Sequence, residues 1–301
     1  MEDYESTEAK RQIGKVSFSQ YKMYRKCPRE YKLKYIDDLS KRESSIHLIF
    51  GSALHTTLQE FLTKLYSGTK KRAMEMDLDM MLFEEMKKEF IKEKDRARTG
   101  EIPITKLEME EFWGDGRRII KWFKSHITEF YSKRGYELVG IEVVLDNKLK
   151  NNKSFIGYID VVIKNKETGV HTLIDLKTST KGWNKWKKKD QKTTDQLLLY
   201  KKFYAEKFDI PLDMIEIEYQ ILKRKLIESE WTIPRISKFS PAAGSISMNR
   251  VDREFKSFVD EVWNEDGTFN MNNPYLKNPG KNFWNCKFCE FRDVHCDPTV
   301  E

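Results

Sequence analysis

The sequence predicts an α/β protein, with helices first and the strands of a sheet after them. Helical spacing of apolar residues indicates long helices in the first half, at 48–66, 77–97 and 105–133. Segments rich in Val and Ile then predict strands, at 136–146, 154–164 and 170–178. An alternating segment between two helical ones adds a fourth strand, in the order 193–208, 214–224 and 249–264. An irregular, cysteine-containing tail completes the chain.

Local signals mark the ends of several elements. Segment 16–35 predicts two short helices, because Ser17 and Gln20 have the spacing of a capping box. Pro28 suits the first turn of the second helix, directly after Cys27. The segment "LIESEWTIPRI" is a candidate partner for the strand that precedes it.

The composition is that of a charged, water-exposed protein. The chain has 301 residues, 34% of them charged, and a net charge of +7, which permits a nucleic-acid partner without requiring one. No apolar run approaches the roughly 20 residues that span a bilayer, and the N-terminus lacks the apolar region of a signal peptide. We therefore expect a cytoplasmic protein without a membrane partner, in which clustered cysteines favour metal binding over disulfides.

Two predicted strands carry charged residues on otherwise apolar segments. In "LIDLKTS", strand alternation places Asp175 and Lys177 on one face, as a functional pair or as an ordinary surface ion pair. Asp160 lies amid Ile, Val and Tyr, where a carboxylate is costly to bury unless it is paired or metal-bound. The turn at 167–169 would bring the two aspartates together, and a divalent cation would relieve their repulsion.

Two helical segments add further candidates. His55 lies in "GSALH", either as a third metal ligand or as a hydrogen-bonded core residue. Gln196 and Tyr200 are four residues apart and share a helix face, which an ordinary amphipathic helix would also give. Glu142 is a further acidic residue whose role the sequence does not fix.

A lysine-rich stretch, 181–192, is the candidate nucleic-acid contact. Its cations and interleaved aromatics can neutralise phosphates and stack on bases, and a solvated loop is the alternative. The candidate contacts are Lys181, Trp183, Lys185, Trp186, Lys187, Lys188 and Lys189.

The cysteines form a second candidate metal centre. Cys286, Cys289 and Cys296 are clustered, and Cys27 is the only other cysteine. Four thiolates suit an iron–sulfur cluster or zinc. His295 could instead complete a local zinc knuckle that leaves Cys27 free, and four free cysteines are the remaining alternative.

The order of these motifs resembles a known family. "CPREY", "GSALH", "GYID", "DLKT" and "QLLLY" follow one another over 17–204. This order is similar to the RecB-like branch of the PD-(D/E)XK nuclease superfamily, which includes CRISPR adaptation nucleases and phage exonucleases. The resemblance implies a restriction-endonuclease-like α/β core, with a mixed central sheet flanked by helices.

The resemblance also implies roles for the candidate residues. Asp160, Asp175, His55 and the backbone carbonyl of Leu176 would hold Mg²⁺ or Mn²⁺. Lys177 would activate water and stabilise phosphate charge, supported by Gln196 and Tyr200. Several members of the branch carry a 4Fe-4S cluster, which would here be bound by Cys27, Cys286, Cys289 and Cys296. The x6 spacing before Cys296 departs from the more usual x5, and structural Zn²⁺ is the competing metal.

The function that the resemblance implies is a Mg²⁺- or Mn²⁺-dependent DNA nuclease. We expect an exonuclease that acts at DNA ends or in single-stranded DNA during replication, recombination or repair. The chain lacks a phosphate-loop motif, so a helicase or recombinase partner would be separate, as for a phage enzyme in the host cytoplasm. Alternatives are a non-catalytic DNA-binding scaffold and an RNA-processing nuclease. We expect one domain over 1–301, divided into N-terminal helices (17–66), a helical insertion (67–135), a catalytic core (136–264) and a metal-cluster tail (265–301).

Overall fold

The computed structural model describes residues 14–40, 44–97, 101–226 and 234–296. Its α-helices are Phe18–Lys26 (α1), Pro28–Tyr31 (α2), Ile46–Ser67 (α3), Lys70–Met74 (α4), Leu78–Arg96 (α5), Lys106–Ser125 (α6), Ile127–Phe130 (α7), Lys185–Lys189 (α8), Gln191–Phe208 (α9) and Ser245–Val262 (α10). Its strands are Lys15–Ser17 (β1), Tyr136–Lys148 (β2), Ser154–Asn165 (β3), His171–Ser179 (β4), Ile215–Lys223 (β5) and Ile236–Phe239 (β6). Within these ranges, no helix is both long and apolar enough to cross a membrane.

The six strands form one mixed sheet. Strand β3 is central, with β2 antiparallel along one edge and β4 antiparallel on the other. Strand β5 runs parallel to β4 because α8 and α9 carry the chain back across the sheet, as parallel neighbours require. Strand β6 then pairs antiparallel with β5.

The ladder between β3 and β4 is short, and this creates a fork in the sheet. It joins 161–164 only to 171–174. Further along the same edge, the short strand β1 pairs with 154–156 of β3. Among the described residues, 157–160 of β3 therefore form no ladder on that edge, and β4 continues past them paired to β5.

Apolar side chains cover both faces of the sheet. On one face, α1, α9 and α10 bury an aromatic cluster in which the rings of Phe155 and Phe203 stack 4.1 Å apart. On the other face, α3, α5 and α6 pack together, with Phe61 and Phe123 in edge-to-face contact. This arrangement confirms the predicted α/β fold with a mixed central sheet flanked by helices.

Most predicted elements are present, with differences at their ends. Ser17 caps α1 by accepting a hydrogen bond from the Gln20 amide at 3.3 Å, but the Gln20 side-chain oxygen has no partner, so the reciprocal bond of a capping box is not formed. The helix predicted over 105–133 is divided at His126. Of the predicted strand "LIESEWTIPRI", residues 227–233 lie outside the described ranges, and β6 begins at its last residue.

Candidate active site

The two predicted acidic residues lie at the fork. Asp160 directly precedes Val161 and Asp175 directly follows Ile174, and Val161 and Ile174 are the last pair of the β3–β4 ladder. The Leu176 backbone N–H, which has left the ladder, donates to Asp160 Oδ2 at 2.6 Å. The fork thus turns a backbone donor towards the carboxylate, where a continuous sheet would have used it for strand pairing.

Asp175 and Lys177 lie on one face of β4, as strand alternation predicts. Lys177 Nζ donates to Asp175 Oδ1 at 3.0 Å. It also lies 2.8 Å from Oδ2, although no hydrogen bond of acceptable geometry reaches that buried atom. Burial raises the pKa of Asp175 to about 6, against the opposing effect of Lys177. Burial would lower the pKa of Lys177, but Asp175 and Asp160 outweigh it and raise the value.

His55 projects from α3 towards the same fork. Its Nδ1 atom lies 3.7 Å from Asp160 Oδ2. Burial alone would lower the pKa of His55, but the Asp160 carboxylate overcomes this and raises it. Burial would likewise raise the pKa of Asp160, but the influence of His55 and then Lys177 lowers it. The three elements β3, β4 and α3 thus bring one imidazole, two carboxylates and one ammonium group together.

Gln196 and Tyr200 share a face of α9 and touch each other. The Tyr200 ring also packs against the sheet. Gln196 Nε2 donates to the Tyr200 hydroxyl at 3.1 Å. Burial, and then the negative charge of Asp175, raise the pKa of Tyr200 to about 12. The Tyr200 ring fits because residue 157 is glycine: a Cβ there would lie 2.8 Å from Tyr200 Cε1. The glycine of "GYID" therefore positions Tyr200 beside the acidic pair.

Gln59 is a residue near the site that the sequence reasoning missed. It lies one helical turn after His55, and its amide donates to Glu142 Oε1 at 2.5 Å and to the Asp160 carbonyl at 3.3 Å. Glu142 has a left-handed backbone with φ of 48° at the ladder position opposite Asp160, so both edges of β3 are interrupted there. The spacing of four from His55 is the signal that could have indicated Gln59.

The chemistry of these groups fits a hard divalent cation. Carboxylate and carbonyl oxygens suit Mg²⁺ and Mn²⁺. Asp175 Oδ2 accepts no well-formed hydrogen bond, and the Leu176 carbonyl is expected on the same side of the strand as its N–H, towards the fork. As placed, no three His, Cys, Asp or Glu side chains of the described residues form a ready metal-binding group.

The lysine-rich stretch 181–192 contains the helix α8, and the two tryptophans of the stretch differ in burial. The Trp183 ring packs 4.9 Å from the Tyr219 ring and 6.2 Å from the Phe239 ring, at the edge of the core. Trp186 is 71% exposed, with Lys185 Nζ 5.2 Å from its ring centre. Only Trp186 therefore offers a free ring surface, while Lys181, Lys185, Lys187 and Lys189 are exposed and Lys188 is half-buried.

The four cysteines come from opposite ends of the chain to one region. Cys27 is buried between α1 and α2, and its Sγ accepts the Asn278 backbone N–H at 3.4 Å. Asn278 and Asn285 of the tail both donate to the Lys26 carbonyl at 3.0 Å. Burial first, and then Cys27 and Cys296, raise the pKa of Cys286. Burial also raises the pKa of Cys289, with a smaller contribution from Cys27.

Comparisons with known proteins give a family for this arrangement. A model of the PD-(D/E)XK nuclease superfamily matches residues 15–296. No curated protein matches the sequence. A solved structure from Eubacterium rectale, described as a "putative exonuclease", is similar with a TM-score of 0.46 and 14% identity over 85% of this chain and 82% of that one. Because the family match spans the fork, its helices and the cysteine tail, the chain belongs to the PD-(D/E)XK nuclease superfamily.

Proposed function

We propose that the protein is a Mg²⁺- or Mn²⁺-dependent DNA exonuclease that hydrolyses phosphodiester bonds at the ends of duplex or single-stranded DNA. The observation that carries this proposal is the fork, where Asp160, Asp175 and Lys177 meet at a break in the sheet. A stabilising ion pair can form on a continuous strand, so the break in the sheet is not explained by stability. Groups with displaced pKa values also often mark reaction sites.

Each residue at the fork has a chemical role in this proposal. Asp160, Asp175, the Leu176 carbonyl and His55 would hold the cation, which when bound lowers the pKa of water and polarises the phosphate. Lys177, within 3.0 Å of Asp175, orients the attacking water and stabilises negative charge that develops on the phosphate. Tyr200, braced by Gln196, stays protonated at neutral pH because its pKa is about 12, so its hydroxyl can donate to a phosphate oxygen.

The exposed cations of α8 extend this site towards the substrate. Strand β4 carries Asp175 and Lys177 and leads within a few residues into α8. Lys22 of α1 is also near: partial burial, and then the positive charge of Lys187, lower its pKa. A cluster of cations that repel one another beside a phosphate-cleaving site is suited to a polyanionic strand.

Replacing Lys187, Lys188 and Lys189 together with alanine is expected to weaken DNA binding and its salt dependence. Loss of three phosphate contacts would reduce the slope of log affinity against log salt by about two for a single strand. The measurement is fluorescence anisotropy of a labelled oligonucleotide over a range of salt concentrations. Lys70, Lys71 and Lys87, on other helices, provide a charge-matched triple variant, and equal slopes for the two triple variants would exclude α8 from the DNA path.

We further propose that Cys27, Cys286, Cys289 and Cys296 bind a 4Fe-4S cluster, as in the RecB-like branch. Support comes from their convergence and from the exposed aromatic side chains between Cys27's contacts and Cys289, since Trp284 is 67% exposed and Phe288 81%. A covalent clamp would hold such a segment in place. A structural Zn²⁺ with the same ligands is the alternative, and an absorption spectrum with metal analysis after anaerobic purification separates the two.

We place this activity in a single domain in the cytoplasm, alongside a separate helicase or recombinase, as for phage enzymes of recombination or repair. Linear and circular DNA, each single- and double-stranded, and a linear RNA of the same sequence test the substrate. Cleavage of linear DNA alone is the expected result. Cleavage of circles would indicate an endonuclease, preference for RNA would indicate a processing enzyme, and binding without cleavage would indicate the scaffold alternative.

A further inference from the structure

Tyr158 is an exposed aromatic residue in the middle of the central strand. Its side chain is 51% exposed, whereas its neighbours Gly157 and Ile159 are buried. Because strand residues alternate between faces, Tyr158 points away from the aromatic core beneath Gly157. The Tyr158 side chain makes no hydrogen bond or ring contact with the parts of the chain that the structure describes. Its ring therefore contributes little to the packing of the fold.

The position of Tyr158 links it to the fork. It precedes Asp160 by two residues, a distance of about 7 Å along a strand. Both belong to the segment 157–160, which forms no ladder with another described residue on the β4 edge. The residue opposite Tyr158 on β2 is Val144, which is 40% exposed. An exposed aromatic ring thus adjoins a site whose other groups are charged.

We propose that Tyr158 stacks on a nucleobase of the strand whose phosphate lies at Asp160 and Asp175, and so positions the bond to be cleaved. This inference rests on the proposed nuclease function and narrows its substrate to a strand with an unstacked base beside the cleaved phosphate. A phenol ring has a flat apolar face that any base can stack on, which gives affinity without sequence preference. The charged groups at the fork would hold the phosphate, and Tyr158 would hold the base joined to it.

A nucleobase is the partner of Tyr158 that best fits the neighbouring groups. The fork is suited to a phosphodiester, and a nucleotide held there brings its own base within several ångströms of its phosphate. A protein partner would be expected to need a larger apolar surface than one ring and one valine. The same residue therefore favours frayed ends and single strands over an intact duplex, where bases are already stacked.

The test combines a change in the protein with a change in the DNA. Tyr158→Ala is expected to raise KM for a single-stranded oligonucleotide on the order of tenfold, with kcat little changed, because one base stack is lost. For the wild type, KM is expected to be higher by a similar factor when the oligonucleotide has one abasic position beside the cleaved bond. The two losses should not add, since both remove the same contact. Tyr158→Phe, which keeps the ring, should behave like the wild type.

Binding by fluorescence anisotropy without divalent cations gives a second measurement that does not depend on cleavage. Phe83→Ala, at a partly exposed aromatic residue on α5, is the matched control and should leave both measurements unchanged. If Tyr158→Ala and the wild type have equal KM and affinity, the stacking contact is excluded while the nuclease function stands. The same conclusion follows if the effects of Tyr158→Ala and of the abasic position on KM add fully. Absence of cleavage by the wild type, with the base-dependent binding retained, would overturn the nuclease function and leave the stacking contact standing.

Discussion

Lys177→Ala is expected to slow DNA cleavage by about 10²- to 10³-fold, the loss typical of removing one preorganised charge-stabilising group. Lys177 Nζ lies 3.0 Å from Asp175 Oδ1, at the place where phosphate charge would develop. Divalent-cation affinity should be unchanged or higher, because an ammonium group that opposes the cation is removed. Initial rates on end-labelled DNA and calorimetric titration with Mn²⁺ measure the two quantities.

The assay pH matters for this variant. Burial raises the pKa of Asp175 to about 6 while Lys177 opposes that rise, so the alanine variant should have a still higher value. Cleavage rates measured over a range of pH separate loss of Lys177 from protonation of Asp175, because a higher pH restores only the activity lost to protonation. Lys164→Ala, at the end of the β3–β4 ladder farthest from the fork, is the control and should retain full activity. Equal cleavage rates for Lys177→Ala and Lys164→Ala would show that Lys177 takes no part in the reaction.

Cys27→Ala is expected to remove the proposed metal centre of the tail and to lower the free energy of unfolding by more than about 3 kcal/mol. Few single substitutions cause so large a loss unless they lie at metal ligands or in the core. Cys27 lies more than 250 positions from Cys286 in the sequence, yet the tail bonds directly to Lys26 and Cys27. Metal analysis and denaturant unfolding of Cys27→Ala and Cys286→Ala should give similar results.

Ser17→Ala provides the control for this junction. It removes the cap of α1 and should cost about 0.5–2 kcal/mol with the metal content intact. If Cys27→Ala keeps its full metal content while Cys286→Ala loses it, the ligands are local to the tail. The zinc knuckle with His295, which is exposed beside Phe291, would then replace the four-cysteine centre.

Patterns within single elements predicted much of the fold and of the candidate site. Alternation in β4 placed Asp175 and Lys177 on one face, and the two groups are in contact. The apolar surroundings of Asp160 indicated a partner, and the Leu176 amide and His55 supply two. These predictions succeeded because each depends on the period of one strand or on the cost of burying one charge.

The features that the sequence did not predict depend on contacts between distant segments. The three-residue strand β1 is too short for periodicity, and it forms only because β3 offers a free edge. The fork itself follows from where two ladders stop, which no local pattern encodes. Trp183 was predicted as a nucleic-acid contact from its lysine neighbours, but its ring packs against Tyr219 of a strand some 36 positions later. Gln59 and Glu142 meet only when α3 crosses β2.

Divalent-cation-dependent cleavage of DNA at the fork can be tested in one assay. End-labelled linear DNA is incubated with the wild type or Asp175→Asn, each with Mg²⁺ and with a chelator, and Asp213→Asn serves as a distant carboxylate control. We expect cleavage by the wild type and Asp213→Asn with Mg²⁺ only, and none by Asp175→Asn. Cleavage that persists in the chelator, or equal cleavage by Asp175→Asn and the wild type, would rule out a metal-dependent reaction at the fork.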